Sequence, residues 1–236
     1  MTVTEAIAAT YLLATGKATA PSSGTAKYTK ILALLNIFSQ NWATEPVMWA
    51  SLRSTFTVTS PATVTATDTF AIPATVGKIS EQEGDYVRIN HANGTDQSTY
   101  TIVPIERLYD DGPTINNAGG PYCAVSGSNL IFPVAFTSTS PQFGGTVKIP
   151  GYSIPATLTT GSDVIQVDDP YWLCYMAAAE YIRNDITRVQ QYGNLIAQAN
   201  NSMNNMINAN NSQKETPMQA GRPAMVLAGK HGARLC

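Results

Sequence analysis

Carboxylates standing close together are the first residues in this chain that could do chemistry. A paired acid and carboxylate is the machinery of glycoside hydrolysis. Glu81, Glu83 and Asp85 form one such group, Asp110 and Asp111 a second, and Asp168 and Asp169 a third. Each has a simpler use. Asp168-Asp169-Pro170 puts a capping carboxylate ahead of a proline at a first helical position. Asp110-Asp111-Gly112-Pro113 is turn chemistry, and Glu81 to Asp85 occupies a turn before a strand. His91, beside a hairpin turn, reads as a solvated ring, and His231 lies near the C-terminus. With three cysteines that share no short spacing, Cys123, Cys174 and Cys236, they form no metal constellation. A Ser–His–Asp triad can be drawn only by choosing arbitrarily among many serines. Gly119-Gly120 and Gly144-Gly145 lack the Lys-Ser/Thr of a phosphate loop and read as tight turns. Trp42, Trp49, Trp172, Tyr175 and Tyr181 fall at helical spacing, which is core rather than a ligand-stacking box, and Trp42 and Trp172 are expected where N- and C-terminal helices meet. The residues assign no catalytic group, no cofactor and no metal, so the expectation is a protein that is not an enzyme.

The elements carrying these residues fall into blocks. Residues 3–14 predict a short helix capped by Thr4, with Ile7, Tyr11 and Leu12 on one side. A stronger helix over 27–43 places Ile31, Leu34, Leu35, Phe38 and Trp42 on one face and ends before Glu45-Pro46. From Arg53 to about Gly151 the texture becomes Thr-, Val- and Ile-rich, with Phe56, Val58, Val64, Phe70 and Ile72 in partly alternating runs. Asn93-Gly94 between Tyr86–Asn90 and Tyr100–Val103 signals a hairpin, and Gly127-Ser128-Asn129 a second. Thr146–Ile149 is a further strand. No helix of crossover length separates these runs, so antiparallel pairing is expected. After Pro170, Trp172, Tyr175, Ala179, Ile182, Ile186 and Val189 recur at three or four residues, with a bend at Tyr192-Gly193. A last helix from Leu195 to Ala209 carries Ile196, Ala199, Met203, Met206 and Ile207 on one stripe. Its Asn-rich remainder needs packing to hold it. The segment from Ser212, with two prolines and three glycines, is expected to be flexible.

These blocks give an α+β chain: N-terminal helices over 1–52, an inserted antiparallel β region over 53–167, C-terminal helices over 168–211, and a flexible tail over 212–236. The two helical blocks form one base. Only 13% of the 236 residues are charged, about half the usual share, while 44% are hydrophobic. Thr, Ser, Asn, Gln and Ala replace the charge, which suits a surface hidden against neighbours. A net charge of −2 argues against a dedicated nucleic-acid binder. Residues 212–236 hold Lys214, Arg222, Lys230 and Arg234 against Glu215, and removing them from the chain's 14 basic and 16 acidic residues leaves 10 against 15. The body is acidic and the tail basic. With no membrane span, no targeting segment and no disulfide pattern, the expectation is a soluble chain in a reducing, cytosolic setting.

An ordered series of segments then carries a resemblance. ILALLNIFSQNWATEPVMWASLRSTFTVT, ATDTFAIPATVGKISEQEGDYVRI, SPQFGGTVKIPGYSIPATLTTGSDVIQVDDPYWLCYMAAAEYIRNDITR and YGNLIAQANNSMNNMI, spanning about 27–210, are similar to head-to-tail adaptor (connector) proteins of tailed bacteriophages. The resemblance implies a structural virion protein in the neck between capsid and tail, made in the host cytoplasm. About twelve copies would form a ring beneath the portal, extend the DNA channel and seat the next tail component, a nozzle or tail hub. DNA would pass without sequence-specific binding, and no membrane is involved. In such families a C-terminal segment orders on the portal, which singles out Arg222, Lys230 and Arg234. Contacts between copies are expected along Tyr181, Arg183, Arg188 and Tyr192. Two other classes stand beside this reading: a virion-associated peptidoglycan-degrading enzyme, and a receptor- or carbohydrate-binding β module on a helical stalk.

Overall fold

The N-terminal helix begins where its cap allows. In the computed structural model, which describes residues 1–44, 47–59, 67–80, 85–110 and 122–219, α1 spans Val3–Thr15. The Thr2 side chain accepts from the Glu5 amide while Glu5 reaches back to the Thr2 amide, a reciprocal capping box. Thr2 therefore holds the cap that the sequence assigned to Thr4. Thr4 is instead inside the helix and donates its hydroxyl to the Gly161 carbonyl at 3.0 Å. α2 spans Ala26–Thr44 and buries Ile31, Leu35, Ser39 and Trp42. A 3₁₀ turn at Ala50–Leu52 follows. There Trp49 stacks on Trp42 with centroids 4.9 Å apart and donates its indole N–H to the Trp42 carbonyl at 2.9 Å.

A short α3, Ile105–Asp110, sits in the β region, and the C-terminal helices are α4, Pro170–Ile182, and α5, Val189–Gln219. Asp169 accepts from the Tyr171 amide at 2.9 Å, and Pro170 supplies a preset φ at the first turn. α4 buries Trp172, Leu173, Cys174, Ala177, Ala178, Ala179 and Ile182, almost its whole circumference. Its alanines let α1, α2 and α5 approach closely, and one hydrophobic cluster joins Ile7, Ile31, Leu35, Trp42, Trp172, Leu173, Ala199 and Met206. The expected continuous helix to Tyr192 is broken earlier. Asp185 accepts from the Thr187 amide at 3.0 Å and its hydroxyl at 2.6 Å, starting a 3₁₀ turn at Ile186–Arg188. This local side-chain bonding competes with the helix. Gly193 lies inside α5, so the helix is not broken there. At the other end α5 runs on past residue 211 to Gln219, so the first residues assigned to the flexible tail are helical.

Between the helical blocks, eight strands among the described residues form one sheet: β1 Arg53–Thr59, β2 Thr67–Ala71, β3 Val76–Ile79, β4 Val87–Asn90, β5 Gln97–Val103, β6 Tyr122–Ser126, β7 Asn129–Phe136 and β8 Thr146–Ser153. The order is β1-β8-β4-β5-β6-β7-β2, with β3 also on β8. β8 is the hub. β1 lines one side of it from Arg53↔Tyr152 to Thr59↔Thr146, and the other side takes β4 at residues 146–148 and β3 at 151–153. Alternation decides the faces: Val87, Ile89, Val147 and Ile149 point in, Arg88 and Lys148 out. Because edge strands β1 and β2 contribute Phe56, Val58 and Phe70 to one cluster with Tyr100, Phe132 and Phe136, the sheet is curled around its own core.

One pairing corrects the antiparallel expectation. β5 and β6 are parallel, with Ile102 opposite Cys123. The crossover contains α3, Ile105–Asp110, whose Leu108 packs with Val103 and Ala124. It is a short helix with few apolar positions, too little for helical periodicity to register. Expected strand residue Val64 lies outside the described residues.

The test of the helical base is its largest seam residue. Trp172→Ala removes an indole that is 6% exposed and leaves a cavity, at a cost of about 3–5 kcal/mol. Urea unfolding followed by circular dichroism should show the midpoint falling accordingly. An unchanged midpoint contradicts the packing.

Candidate functional site

Uncharged polar side chains join the blocks. The segment 155–167 leaves β8 and returns to the helices, where Leu158, Ile165 and Val167 enter the helical core. Asn36 of α2 donates to the Leu158 carbonyl at 2.9 Å and accepts from the Leu158 amide at 2.8 Å, imitating a strand pairing. Gln40 donates to the Pro155 carbonyl at 2.9 Å. The first amides of α1, which lack partners within the helix, find them here: Val3 donates to the Asp163 carbonyl at 2.9 Å and Thr4 to the Gly161 carbonyl at 3.0 Å. A Cβ on Gly161 would stand 2.4 Å from the Thr4 hydroxyl, so only glycine lets the turn come this close. Asp163 holds the turn, accepting from the amides of Thr159 and Thr160 at 2.6 and 2.8 Å. Hydrogen bonds, the Thr160 hydroxyl first and then its amide, hold the Asp163 carboxyl far below the usual carboxylate range.

The same device ties α5 to the neck of the sheet. Asn210, 3% exposed, accepts from the Ala50 amide at 2.8 Å and donates to the Met48 carbonyl at 3.1 Å. Asn36, Asn210 and Asp163 were not singled out by sequence. For the two asparagines the only signal is that Asn is a mediocre helix former, so an Asn inside a strongly periodic helix invites a tertiary partner.

At the α4–α5 corner the structure brings together the four residues expected to contact another copy, in unequal states. Arg188 donates to the Ala14 carbonyl at the end of α1 and pairs with Asp185 at 3.1 Å, while Gln191 donates to the Leu13 carbonyl at 2.6 Å. Gly16 is the C-cap of α1, and Arg188 adds a side-chain donor to a carbonyl of its last turn. Tyr181 meets Tyr11 edge-on, and the Lys30 ammonium lies 4.6 Å from its ring centre. Tyr192 packs beside Ala14, Ala178 and Ile182. Arg183 remains well exposed, weakly paired to Glu180 at 3.4 Å. Beside it, two residues that sequence placed in a core stripe stand in solvent: Ile186 is 88% exposed and Val189 68%. The helix break at Asp185 turns them outward.

Several of the groups that suggested chemistry have structural uses. Asp85 accepts from Arg53 at 2.5 Å and from the Ser80 hydroxyl. Asp169 caps α4 and accepts from Ser202 of α5, while Asp168 is exposed. His91 bonds the Ser98 hydroxyl at 2.8 Å, so its ring is held rather than free in solvent. Burial pushes the Cys123 thiol up to about 12 and the Cys174 thiol to about 11, opposite to what a nucleophile needs. Gly145 packs where a Cβ would stand 2.2 Å from the Asn90 carbonyl oxygen, a close turn as expected. Among the described residues no group of three His, Cys, Asp or Glu is placed to hold a metal. No helix among them is long and apolar enough to cross a membrane. Trp42 and Trp172 lie in one buried cluster, Trp42 stacking on Trp49. Glu81, Glu83, Asp111, Gly119, Gly120, His231, Cys236 and the tail cations Arg222, Lys230 and Arg234 lie outside the described residues.

The architecture is thus a helical platform closed by polar clamps and carrying a curled sheet. A family model described as SU10 adaptor protein matches residues 2–223. The chain belongs to that family of phage head-to-tail adaptors, and it is a structural protein of the bacteriophage virion. No curated protein matches the chain.

The clamp at Asp163 makes the platform sensitive to acid in a defined direction. Its carboxyl stays ionised in the folded chain below the unfolded value of about 3.9, so the unfolded state binds the proton first. The stabilisation is complete above that value and fades as pH falls beneath it. Asp163→Asn should lower the melting temperature at neutral pH, and the gap to the parent chain should narrow progressively as pH falls below about 4. A gap independent of pH contradicts the clamp.

Proposed function

We propose that copies of this chain form a ring beneath the portal of a filled capsid, extend the DNA channel toward the tail and seat the next tail component, in the virion neck. About twelve copies is the number the resemblance implies, with synthesis in the host cytoplasm and no catalytic activity of its own. The observation that carries the reading is the apolar corner at Ile186 and Val189. An 88% exposed isoleucine next to a 68% exposed valine loses hydrophobic stabilisation unless a neighbour covers it. A counterpart exists on another part of the platform: Ile37 of α2 and Ile154 after β8, 53% and 41% exposed, share a shallow groove with Pro155. Two different complementary surfaces on one chain are what a head-to-tail ring requires.

Arg183, at the corner's edge, is the contact residue that remains available, with Tyr181 and Tyr192 supporting the surface from behind. The basic tail, with Arg222, Lys230 and Arg234, suits an acidic surface on the portal. An acidic body suits a DNA conduit, since a basic lumen would retain DNA through phosphate contacts.

Electron microscopy of the full chain mixed with its portal should show a collar of subunits under the portal ring. Ile186→Asp with Val189→Asp should leave the melting temperature unchanged and abolish the collar. A collar that forms normally with both aspartates contradicts the reading.

A further inference from the structure

The outer face of the sheet carries an arrangement that the isolated subunit does not explain. Arg88 of β4 and Lys148 of β8 are direct cross-strand partners, and both point away from the core. Like charges directly opposite each other are destabilising. The row is flanked by Thr57 on β1 and Thr99 on β5, opposite Lys148 and Arg88 respectively. Neither cation has a carboxylate partner among the described residues. The nearby Asp85 is taken by Arg53 and Ser80. Arg53, Arg88 and Lys148 line one concave surface together with the hydroxyls of Thr55, Thr57 and Tyr86. Every one of these groups can donate to an anion, and two of the cations have no acceptor among the described residues.

We propose that this concave face of β1, β8 and β4 is a docking surface for carboxylates on a neighbouring copy of the same chain. This rests on the ring reading above. Setting aside Arg53, Arg88, Lys148 and Asp85, the chain holds 11 basic against 15 acidic residues, so the rest of a neighbouring copy is a net anion. Copies with a net charge of −2 repel one another, and a cationic seat converts part of that repulsion into attraction that also fixes orientation. The bidentate guanidinium of Arg88 beside a lysine suits a carboxylate. A nucleic-acid phosphate is the competing occupant. It is disfavoured because the acidic remainder of the chain would repel an extended polyanion.

Three readouts decide it, all on full-length chain. Rings assembled on the portal from an equal mixture of isotopically light and heavy chain are treated with a zero-length carbodiimide, which joins a lysine only to a carboxylate in contact. Lys148 should appear coupled to Asp or Glu in mixed-isotope pairs. Coupling only within one copy, only to the portal, or not at all overturns the proposal. In parallel, the variant Arg88→Gln with Lys148→Gln should melt at the same or a higher temperature, because the repulsion is gone. It should need about tenfold more protein for half-maximal assembly, the effect of losing about 1.4 kcal/mol. Unchanged assembly overturns the docking surface while leaving the ring intact, whereas parent chain that never forms rings overturns the ring reading and this proposal with it. Finally, a fluorescent DNA duplex at low salt should bind neither protein. Duplex bound by the parent and released by the variant assigns the face to phosphate and overturns the carboxylate seat.

Discussion

Everything in this subunit depends on α4 having no solvent face to spare. A helix that buries Trp172, Leu173, Cys174, Ala177, Ala178, Ala179 and Ile182 cannot stand alone, since an all-round apolar helix is stable only inside other structure. α1 and α2 come from the start of the chain and α5 from near its end, so folding must bring distant segments together before any of them is stable. The β region is thereby forced into the position of an insertion. The chain leaves the platform at Leu52 and re-enters it after Ser153, with β1 and β8 paired from Arg53↔Tyr152 onward. Ser153 donates to the Leu52 carbonyl at 3.3 Å at that neck.

Low charge has a structural counterpart in how the pieces are joined. Among the described residues, the few ion pairs stand at the surface, and such pairs contribute little. The joins are made by amides and hydroxyls: Asn36 on Leu158, Gln40 on Pro155, Asn210 on Ala50 and Met48, Gln191 on Leu13. Neutral side chains bonded to backbone can be buried without a charge to desolvate. They also leave an outer surface with little long-range repulsion, from which the exposed Ile186 and Val189 and the opposed Arg88 and Lys148 depart, among others.

The α+β class, the helical blocks and both hairpins were legible because each rests on a local signal. The alternation around Val87 and Ile89, the glycine turns, and the 3.6-residue spacing of Ile31, Leu35 and Trp42 need no tertiary information. What was misread depends on competition between local and distant partners. Ile186 and Val189 continue the stripe of α4 in sequence, yet Asp185 bonds Thr187 and breaks the helix, which carries them out of the core. Arg188, expected between copies, bonds the Ala14 carbonyl at the end of α1, a partner that no local pattern announces. The parallel β5–β6 pair was hidden because its crossover helix is short. Of the candidate site, the aromatic residues and the Asp169 cap could be read from spacing, whereas the cap of α1 falls on Thr2 and not Thr4. The polar clamps could not, because an asparagine's partner is set by the fold and not by its neighbours in sequence.

The central claim is that the subunit is a finished platform with unfinished edges. Hydrogen–deuterium exchange on the full chain, free and assembled under the portal, tests it directly. The amides of α4 should be the slowest in both states, and residues 183–190 should exchange fast in the free chain and become protected on assembly. Equal protection of that corner in the two states, or an α4 that exchanges with the fastest amides, contradicts the account.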